Sequence, residues 1–480
     1  MNLSRLLEAI GPARVLGDPR VEVRDLAYRA KAAAEGSLFF CVRGARADGH
    51  DFAAEAVERG ASALVVERAL DLRVPQLVVP DARAAMAPAA TTFFGDPTSE
   101  LEVVGITGTT GKTTSAFLLC EILDAAGRTP GLVGTVETRI GGERHPAVRT
   151  TPESIDLQRT FRAMLDAGNS SCVLEATSHG AELGRLDGVR FAALAFTNLT
   201  QDHLDFHGSM EQYFAAKRRL FVTEPRPPAA VNVGDAWGRK MADELRGGGT
   251  LLTYGFADDA EVRPNAFVLS ADGARFRLDG VEVRTALRGR FNVENALTAA
   301  AAARLVGVPD ELIAAGLAAL RSVPGRFETI DEGQPFTVVV DYSHKPDALA
   351  NVLRTARELT PGRVLCVFGA GGDRDRTKRP VMGRIASELA DVAILTSDNP
   401  RSERPQAIAD EILAGVTANI DVELDRRAAI ARALQLAGPD DVVVIAGKGH
   451  EQGQESGGRV LPFDDREVAR EELRRLGALA

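Results

Sequence analysis

Short apolar runs, separated by polar stretches of helical period, recur along the whole chain. In residues 1–94 the runs fall at 21–26, 37–42, 63–66 and 76–79, with a helix-like stretch over 52–59. Strands alternating with helices predict a small α/β unit. The segment FGDPTSE (94–100) is rich in chain breakers and reads as a linker. Beyond it, an apolar strand over 101–106 leads into a glycine-rich loop and an apolar helix over 115–126, stopped at Gly127. Apolar strands over 171–174 and 191–196 follow, then an Ala-rich helix over 293–305. Strands that are apolar throughout predict a parallel sheet covered on both faces.

Residues 324–480 repeat this logic. Four apolar strands (337–340, 364–368, 392–395, 442–445) run into DYSHKP, GAGGDRD, TSDNPR and AGKGHE. In doubly wound sheets ligands bind beyond the carboxyl ends of the strands, so these four loops should meet at one edge. The expected fold is α/β in three domains, 1–94, 95–323 and 324–480. A chain of 480 residues is too long for one core.

Charge narrows the class of function. The formal net charge is −10, which disfavours general nucleic-acid binding, since phosphate neutralisation needs clustered Lys and Arg. Cys41, Cys120, Cys172 and Cys366 form no CxxC pair and sit among apolar residues, as free thiols in a reducing compartment do. The start, MNLSRLLEAIGP, lacks a charged segment followed by a long apolar one, and no run approaches 18 apolar residues. A cytoplasmic protein without a membrane span is expected, with a monomer as the default.

Candidate chemistry begins at TGTTGKTT (107–114). Gly108 and Gly111 free the backbone to turn its N–H groups, including those of Thr109, Thr110 and Thr114, toward phosphate. Lys112 reaches the β- and γ-phosphates, the Thr113 hydroxyl suits Mg²⁺, and the following helix adds its positive end. The strict phosphate-loop motif has Gly six residues before the Lys; here that position is Ile106. A Gly/Thr turn capping a buried helix is the bland reading.

Glu175 closes an apolar strand, where a carboxylate suits Mg²⁺ or simply caps a turn. His203 and His207 lie four apart and would share a face if helical, as a metal pair or as ordinary loop histidines. Lys217, in YFAAKRRL, reads on its own as a helix-surface lysine. Asn292, in GRFNVEN, reads as the N-cap of the Ala-rich helix.

Taken together, TGTTGKTT, LEATSHG (174–180), TNLTQDHLDFHG (197–208), GRFNVEN (289–295), PGRFE (324–328), DYSHKPDAL (341–349), FGAGGDRDRTKRP (368–380), SDNPR (397–401) and AGKGHE (446–451) resemble the motifs of the Mur ligases, in that family's order. The resemblance covers essentially the whole chain and is strongest over 101–455. It implies an N-terminal UDP-binding domain, a central P-loop ATPase and a C-terminal Rossmann-like domain that brings in an amino acid. It also implies ATP-dependent amide formation through an acyl phosphate in cell-wall peptidoglycan synthesis. Two Mg²⁺ sites are implied, with Thr113, Glu175, His203 and Lys217 as ligands, the lysine as its carbamate. Lys112, Glu175, His203 and Lys217 would be the catalytic set. Asn292 and Asn295 would hold adenine; Arg326 and Asp341 would reach ATP phosphate and ribose.

Members adding meso-diaminopimelate carry DNPR, matched here by Asp398, Asn399, Pro400 and Arg401. Arg401 would fork the distal carboxylate that lysine lacks. Arg374, Gly447 and Glu451 fall on the family's other amino-acid positions. The UDP-N-acetylmuramoyl dipeptide would meet Gly44, Ala45, Arg46, Thr150, Thr151, Thr177 and Arg185, with His179 also fitting the pattern. One departure stands out: where the family has Asp-Ser-Arg, this chain reads Ala27-Tyr28-Arg29, which puts one uridine contact in doubt. Competing readings are a lysine-adding ligase, a folylpolyglutamate synthetase and a nucleotide-dependent switch without ligation.

Overall fold

The computed structural model describes residues 1–44, 47–270 and 272–479. Three sheets organise it. The first has five strands, ordered Arg14–Leu16, Gln76–Val78, Ala63–Val66, Ser37–Phe40, Asp25–Ala27. Its first strand is antiparallel and the others parallel. The run expected over 21–26 pairs only at its end, as Asp25–Ala27.

The second sheet has eight strands. Glu102–Thr107 lies near its middle, between Phe191–Phe196 and Ser171–Glu175. Six strands are parallel; Glu137–Ile140 and Glu143–Pro146 add an antiparallel edge that the expectation of a parallel sheet missed. Alternate residues of each parallel strand enter different cores. Val104, Ile106, Val173 and Ala195 face the helices Lys112–Ala125 and Arg290–Leu305. Val103, Leu174, Leu194 and Phe196 face the opposite layer. This two-sided burial is why these strands are apolar throughout. Gly316 lets the helix Asp310–Ala319 touch Lys112–Ala125, since a Cβ there would meet the Ile122 Cα at 2.3 Å. A separate antiparallel sheet, Asn265–Ser270, Gly273–Leu278 and Val281–Thr285, was not anticipated. Its alternating burial reflects one wet face.

The third sheet has six strands, and the four expected ones form its parallel centre. Glu328–Ile330 joins antiparallel and Asp421–Val422 parallel at its edges. The hairpin Gly453–Ser456 with Arg459–Pro462 stands apart. Among the described residues, no helix is long and apolar enough to cross a membrane. All four cysteines are free and buried.

Candidate active site

The phosphate-loop segment turns directly off the central strand Glu102–Thr107, and its helix begins at Lys112, three residues earlier than the pattern suggested. Gly108 adopts φ +147°, and a Cβ there would lie 1.8 Å from Thr197 Oγ1. Gly111 adopts φ +83° against Asn295 Oδ1. Both positions therefore require glycine. The loop is fixed from the neighbouring strand's end: Thr109 N donates to Asn198 O (2.9 Å), and Thr110 N donates to Asn198 Oδ1 (3.0 Å). Lys112 Nζ folds back onto the carbonyls of Gly108 (2.8 Å) and Thr109 (3.0 Å). Burial pushes its ammonium down to about 8.

Glu175 ends its strand with 1% exposure. Its carboxylate accepts from Thr113 Oγ1 (3.0 Å), Thr135 N (2.8 Å) and Thr135 Oγ1 (2.9 Å). All three donors are neutral. Lys217, read alone as a surface residue, is 1% exposed. Its Nζ donates to Gly108 O at 2.9 Å, and burial with the nearby charges of Lys112 and Lys345 drives its pKa well below the ordinary lysine value. The surface reading failed because the helix Met210–Val222 lies against the sheet at this point, burying Tyr213, Ala216, Lys217 and Leu220.

His203 and His207 do not share a helix face. His203 caps the short helix Leu204–His207 in the left-handed conformation (φ +54°). His207 is buried against Ser178 Oγ at 3.0 Å. His203 instead pairs with Asp202 (3.0 Å), and Asp202 forms an ion pair across the cleft with Lys345. Although burial opposes it, the His203 hydrogen bond and the Lys345 charge hold the Asp202 carboxyl well below the usual range. His179 stacks on Phe206 and meets His203 edge-on.

A cleft of ≈ 480 Å³ opens beside these groups, between the second and third sheets. Thr109–Thr114, Glu175, Thr177, His203 and Asn295 border it from one side; Arg326, Asp341, Tyr342 and Lys345 border it from the other. Arg326 Nη2 donates to Thr113 Oγ1 (3.1 Å), and its guanidinium lies 4.6 Å from the Tyr342 ring centre. Half-buried Asp341 accepts from Phe327 N (2.7 Å) and Ser343 Oγ; desolvation of its carboxylate raises its pKa. Asn292 is not the N-cap, a place taken by Gly289, and it does not line this cleft. Its Oδ1 instead accepts from Asn295 Nδ2 (3.0 Å).

The expected amino-acid residues gather at the carboxyl edge of the third sheet. Asn399 Nδ2 donates to Glu451 Oε2 (2.8 Å), and buried Lys448 donates to Asn399 Oδ1 (2.9 Å). Asp398 Oδ2 is buried without a hydrogen-bond partner among the described residues, and a Cβ on Gly447 would lie 2.5 Å from it. Arg401 has φ +55° and donates from Nη1 to Gly372 O (2.7 Å). Pro400 precedes it, and Pro400 O would sit 1.9 Å from a Cβ on Gly372. Arg374 lies exposed, and among the described residues its guanidinium donates to Asp373 O alone, at 3.3 Å. This edge adjoins the cleft, since the Tyr342 and His450 rings lie 5.1 Å apart, centre to centre.

On the far side of Glu175, Thr151 Oγ1 donates to Glu175 O (2.7 Å) and receives Thr177 Oγ1 (2.9 Å). Thr150 Oγ1 lies 3.1 Å from Thr135 Oγ1. Arg185 reaches Thr151 O (3.1 Å) and Glu153 (3.0 Å), a buried carboxylate also met by Arg83 and Arg149. Gly44 is exposed in the first unit; Ala45 and Arg46 lie outside the described residues. Tyr28 Oη donates to Asp156 Oδ2 (2.5 Å), tying the first unit to the second.

Sequence reasoning passed over Thr135, Asn198, Asp202, Lys345, Lys448 and the fully buried Arg379 and Arg426. Asn198, Asp202, Lys345, Arg379 and Lys448 stand inside quoted motifs, which was a usable signal. Thr135 and Arg426 carried none.

Three family models match: Mur ligase family, catalytic domain (23–93), Mur ligase middle domain (106–303) and Mur ligase, glutamate ligase domain (325–449). A Solibacter usitatus protein named UDP-N-acetylmuramoyl-L-alanyl-D-glutamate--2,6-diaminopimelate ligase is 46% identical, covering 99% of each chain. A Geobacillus kaustophilus protein of the same name is 46% identical over 96% of each. A solved structure with that name has a TM-score of 0.70 at 31% identity, covering 99% of both chains. The fold alone is shared with a Mycobacterium tuberculosis folylpolyglutamate synthase complexed with ADP and AMPPCP, at 18% identity, 82% and 95% coverage and a TM-score of 0.63. With matched segments over all three units and relatives this similar end to end, the chain belongs to the Mur ligase family.

Proposed function

We propose that this protein is an ATP-dependent ligase that adds meso-2,6-diaminopimelate to UDP-N-acetylmuramoyl-L-Ala-D-Glu. We take residues 1–94, 95–323 and 324–480 as its UDP-binding, ATP-binding and amino-acid-binding domains, working as a cytoplasmic monomer. The observation that carries the reading is Arg401, a guanidinium held in the DNPR loop at the sheet edge that adjoins the phosphate-loop cleft. The curated relatives' shared name supports the same substrates.

In the proposed reaction the dipeptide's terminal carboxylate attacks the γ-phosphorus of ATP, giving an acyl phosphate and ADP. The amine of diaminopimelate then attacks the acyl carbon. The tetrahedral intermediate loses phosphate, and the nitrogen loses a proton. Negative charge gathers on phosphoryl and carbonyl oxygens, so fixed positive groups aimed there lower the barrier. Lys112, the N–H of Thr114 at the start of the helix, and Arg326 supply them; contrary to the expectation from the loop's sequence, the N–H groups of Thr109 and Thr110 are given to Asn198, so these two residues shape the loop. Asn295, oriented by Asn292, would hold adenine, and Asp341 the ribose. Thr150, Thr151, Thr177, Arg185 and Gly44 would hold the UDP-sugar peptide. Arg374, Asp398, Asn399, Arg401, Gly447 and Glu451 would hold the amino acid.

The residues present fit Mg²⁺. Glu175 is a buried carboxylate whose donors are all neutral, which leaves its charge for a hard cation that takes oxygen ligands. Thr113 and Glu175 would hold one ion and His203 the second. Such an ion supplies neutralisation of the transferring phosphoryl group. No group of three or more His, Cys, Asp or Glu suited to a metal occurs among the described residues. Oxygens from elsewhere are therefore needed, and a carbamate on Lys217 would provide them. A buried lysine beside Lys112 and Lys345 is nucleophilic as the free amine, and its carbamate would place one negative charge beside those cations.

The test is ADP release with ATP, Mg²⁺ and the UDP-dipeptide, comparing meso-diaminopimelate, L-lysine and no amino acid. Stimulation by diaminopimelate alone is expected. Stimulation by lysine alone would keep the ligase and discard the Arg401 argument. No stimulation by either, from folded protein, would overturn the reading.

A further inference from the structure

A second cavity, of ≈ 400 Å³, lies behind the wall of the phosphate-loop cleft and has no place in the scheme above. The helix Arg290–Leu305 stands between the two. Phe291 and Asn295, one turn apart, line the cleft, while Asn292 lines the second cavity. Asn292 is 2% exposed and joins the two sides: its Oδ1 accepts from Asn295, and its Nδ2 donates to Arg288 O (2.8 Å). Phe327 completes the wall from the third unit, its ring 5.9 Å from that of Phe291, centre to centre.

Three parts of the chain meet around this cavity. Arg288 and Asn292 come from the second unit. Arg321 and Ser322 belong to the link between the helix Asp310–Ala319 and the strand Glu328–Ile330, and Thr329 to that strand. Arg288 is half-buried and Arg321 exposed. Neither guanidinium has an acceptor or an acidic partner among the described residues, whereas Arg284, in the adjoining strand Val281–Thr285, is answered by Glu282 at 2.7 Å. Asp272 is the only acid among the described lining residues; it is exposed and pairs with neither arginine. Two cations against one anion, beside the Ser322 and Thr329 hydroxyls, make the cavity locally positive in a chain whose formal net charge is −10.

We propose that this cavity binds a small phosphate monoester and that its occupant favours closure of the third unit on the second. Near neutral pH such a group carries about two negative charges and three strong acceptor oxygens. Guanidinium forks match those oxygens, and two of them answer a dianion, where a lone carboxylate would engage one. Leu287 and Phe327 offer apolar surface to the organic part of the ester. The occupant touches the second unit, the link and the third unit at once, so it binds the arrangement in which they meet. That arrangement also brings Arg326, the residue before Phe327, to Thr113 in the phosphate loop. A ligand that prefers one of two arrangements shifts the balance toward it, and by linkage strengthens binding of a nucleotide that prefers the same one.

The experiment titrates phenyl phosphate, by calorimetry, into the full chain already saturated with a non-hydrolysable ATP analogue and Mg²⁺, which fills the phosphate loop. Saturable binding is expected. Arg288→Ala and Arg321→Ala should each weaken it about ten-fold or more, the scale of a hydrogen bond to a charged group. Asp272→Asn should tighten it about two-fold, as removal of one exposed like charge does. Benzoate, with one charge fewer, should bind about ten-fold more weakly. In the reverse titration, saturating phenyl phosphate should raise affinity for the ATP analogue about five-fold in the unmodified chain and leave it unchanged in Arg288→Ala. No saturable binding, or binding that survives both arginine substitutions, would overturn the site, and equal binding of benzoate would overturn the phosphate assignment. A fall in affinity for the ATP analogue would show two ligands competing for the cleft and overturn the proposal as well. An unchanged affinity in the unmodified chain would overturn the coupling to closure. That coupling rests on the nucleotide reading of the cleft, which falls separately if the ATP analogue does not bind the unmodified chain.

Discussion

The amine of Lys217 lies 2.9 Å from the carbonyl oxygen of Gly108, so a residue on the helix Met210–Val222 touches the phosphate loop itself. Its nitrogen meets a carbonyl, the Thr107 hydroxyl and the face of the Tyr213 ring, and among the described residues no carboxylate pairs with it to hold the ammonium form. Lys217→Ala is expected to lower kcat on the order of 10²–10³, the scale for loss of one preorganised electrostatic group. Added short carboxylic acids should restore part of it by placing an oxygen anion in the vacated space. Turnover at the original level, with no response to such acids, would remove Lys217 from the site.

That residue also marks where the sequence stops being informative. The periodicity of the helix Met210–Val222 is weak, and a lysine among Ala and Arg carries no sign of burial. Burial comes from the tertiary approach of the helix to the end of the central strand. The strands themselves were readable, because two-sided burial makes Val103–Ile106 and Val442–Ile445 apolar throughout. The sheet formed by Asn265–Ser270, Gly273–Leu278 and Val281–Thr285 was missed because its strands alternate and carry Arg275, Arg277, Arg284 and other polar residues on the wet face. The four-residue spacing of His203 and His207 left a shared helix face open, because spacing alone does not report that His203 sits at φ +54°, outside the helix. The phosphate loop was legible because its glycines answer a local steric demand, written in adjacent residues.

Arg401 should act on one substrate only. Its guanidinium contacts Gly372 O and Glu455, both in the third unit, and nothing that lines the phosphate-loop cleft. Arg401→Ala is expected to raise KM for diaminopimelate roughly 10- to 100-fold, the cost of losing a charge-assisted hydrogen bond. KM for ATP should stay within two-fold of its original value, roughly. Steady-state kinetics with each substrate varied in turn decides this. A matching rise in both constants would show that the loop had collapsed rather than lost a contact.

Asp202 belongs to the second unit and Lys345 to the third, and the side chains of this ion pair are 15% and 16% exposed. Removing one partner leaves the other charge partly buried and unanswered. Asp202→Asn and Lys345→Met should each lower kcat/KM for ATP by about ten-fold, and the double variant should be no worse than the weaker single. That non-additivity corresponds to a coupling of about 1–2 kcal/mol, within the range for residues in direct contact. Additive losses would mean that the two residues act separately and that closure of the third unit does not depend on their pairing.

A buried guanidinium at Arg379 makes the stability of the third unit pH-dependent. Arg379 is 0% exposed and donates to Glu403 Oε2 (2.9 Å), Glu403 Oε1 (2.8 Å) and Glu411 Oε2 (2.7 Å). Its hydrogen bonds draw the Glu403 carboxyl down to about 2 from an ordinary 4.5. Between those values the unfolded chain binds the extra proton, so stability rises with pH across the window. The contribution is complete above about pH 4.5 and is lost as pH falls toward 2. Glu403→Gln removes the titrating group and should cost about 1.5–3 kcal/mol at pH 7, as loss of a hydrogen bond to a charged group does. The deficit should shrink steadily below pH 4.5. Calorimetric melting of both proteins at pH 7, 4 and 3 measures it. A deficit of constant size over that range would show that the charge on Glu403 is not its source, and that packing around the amide is.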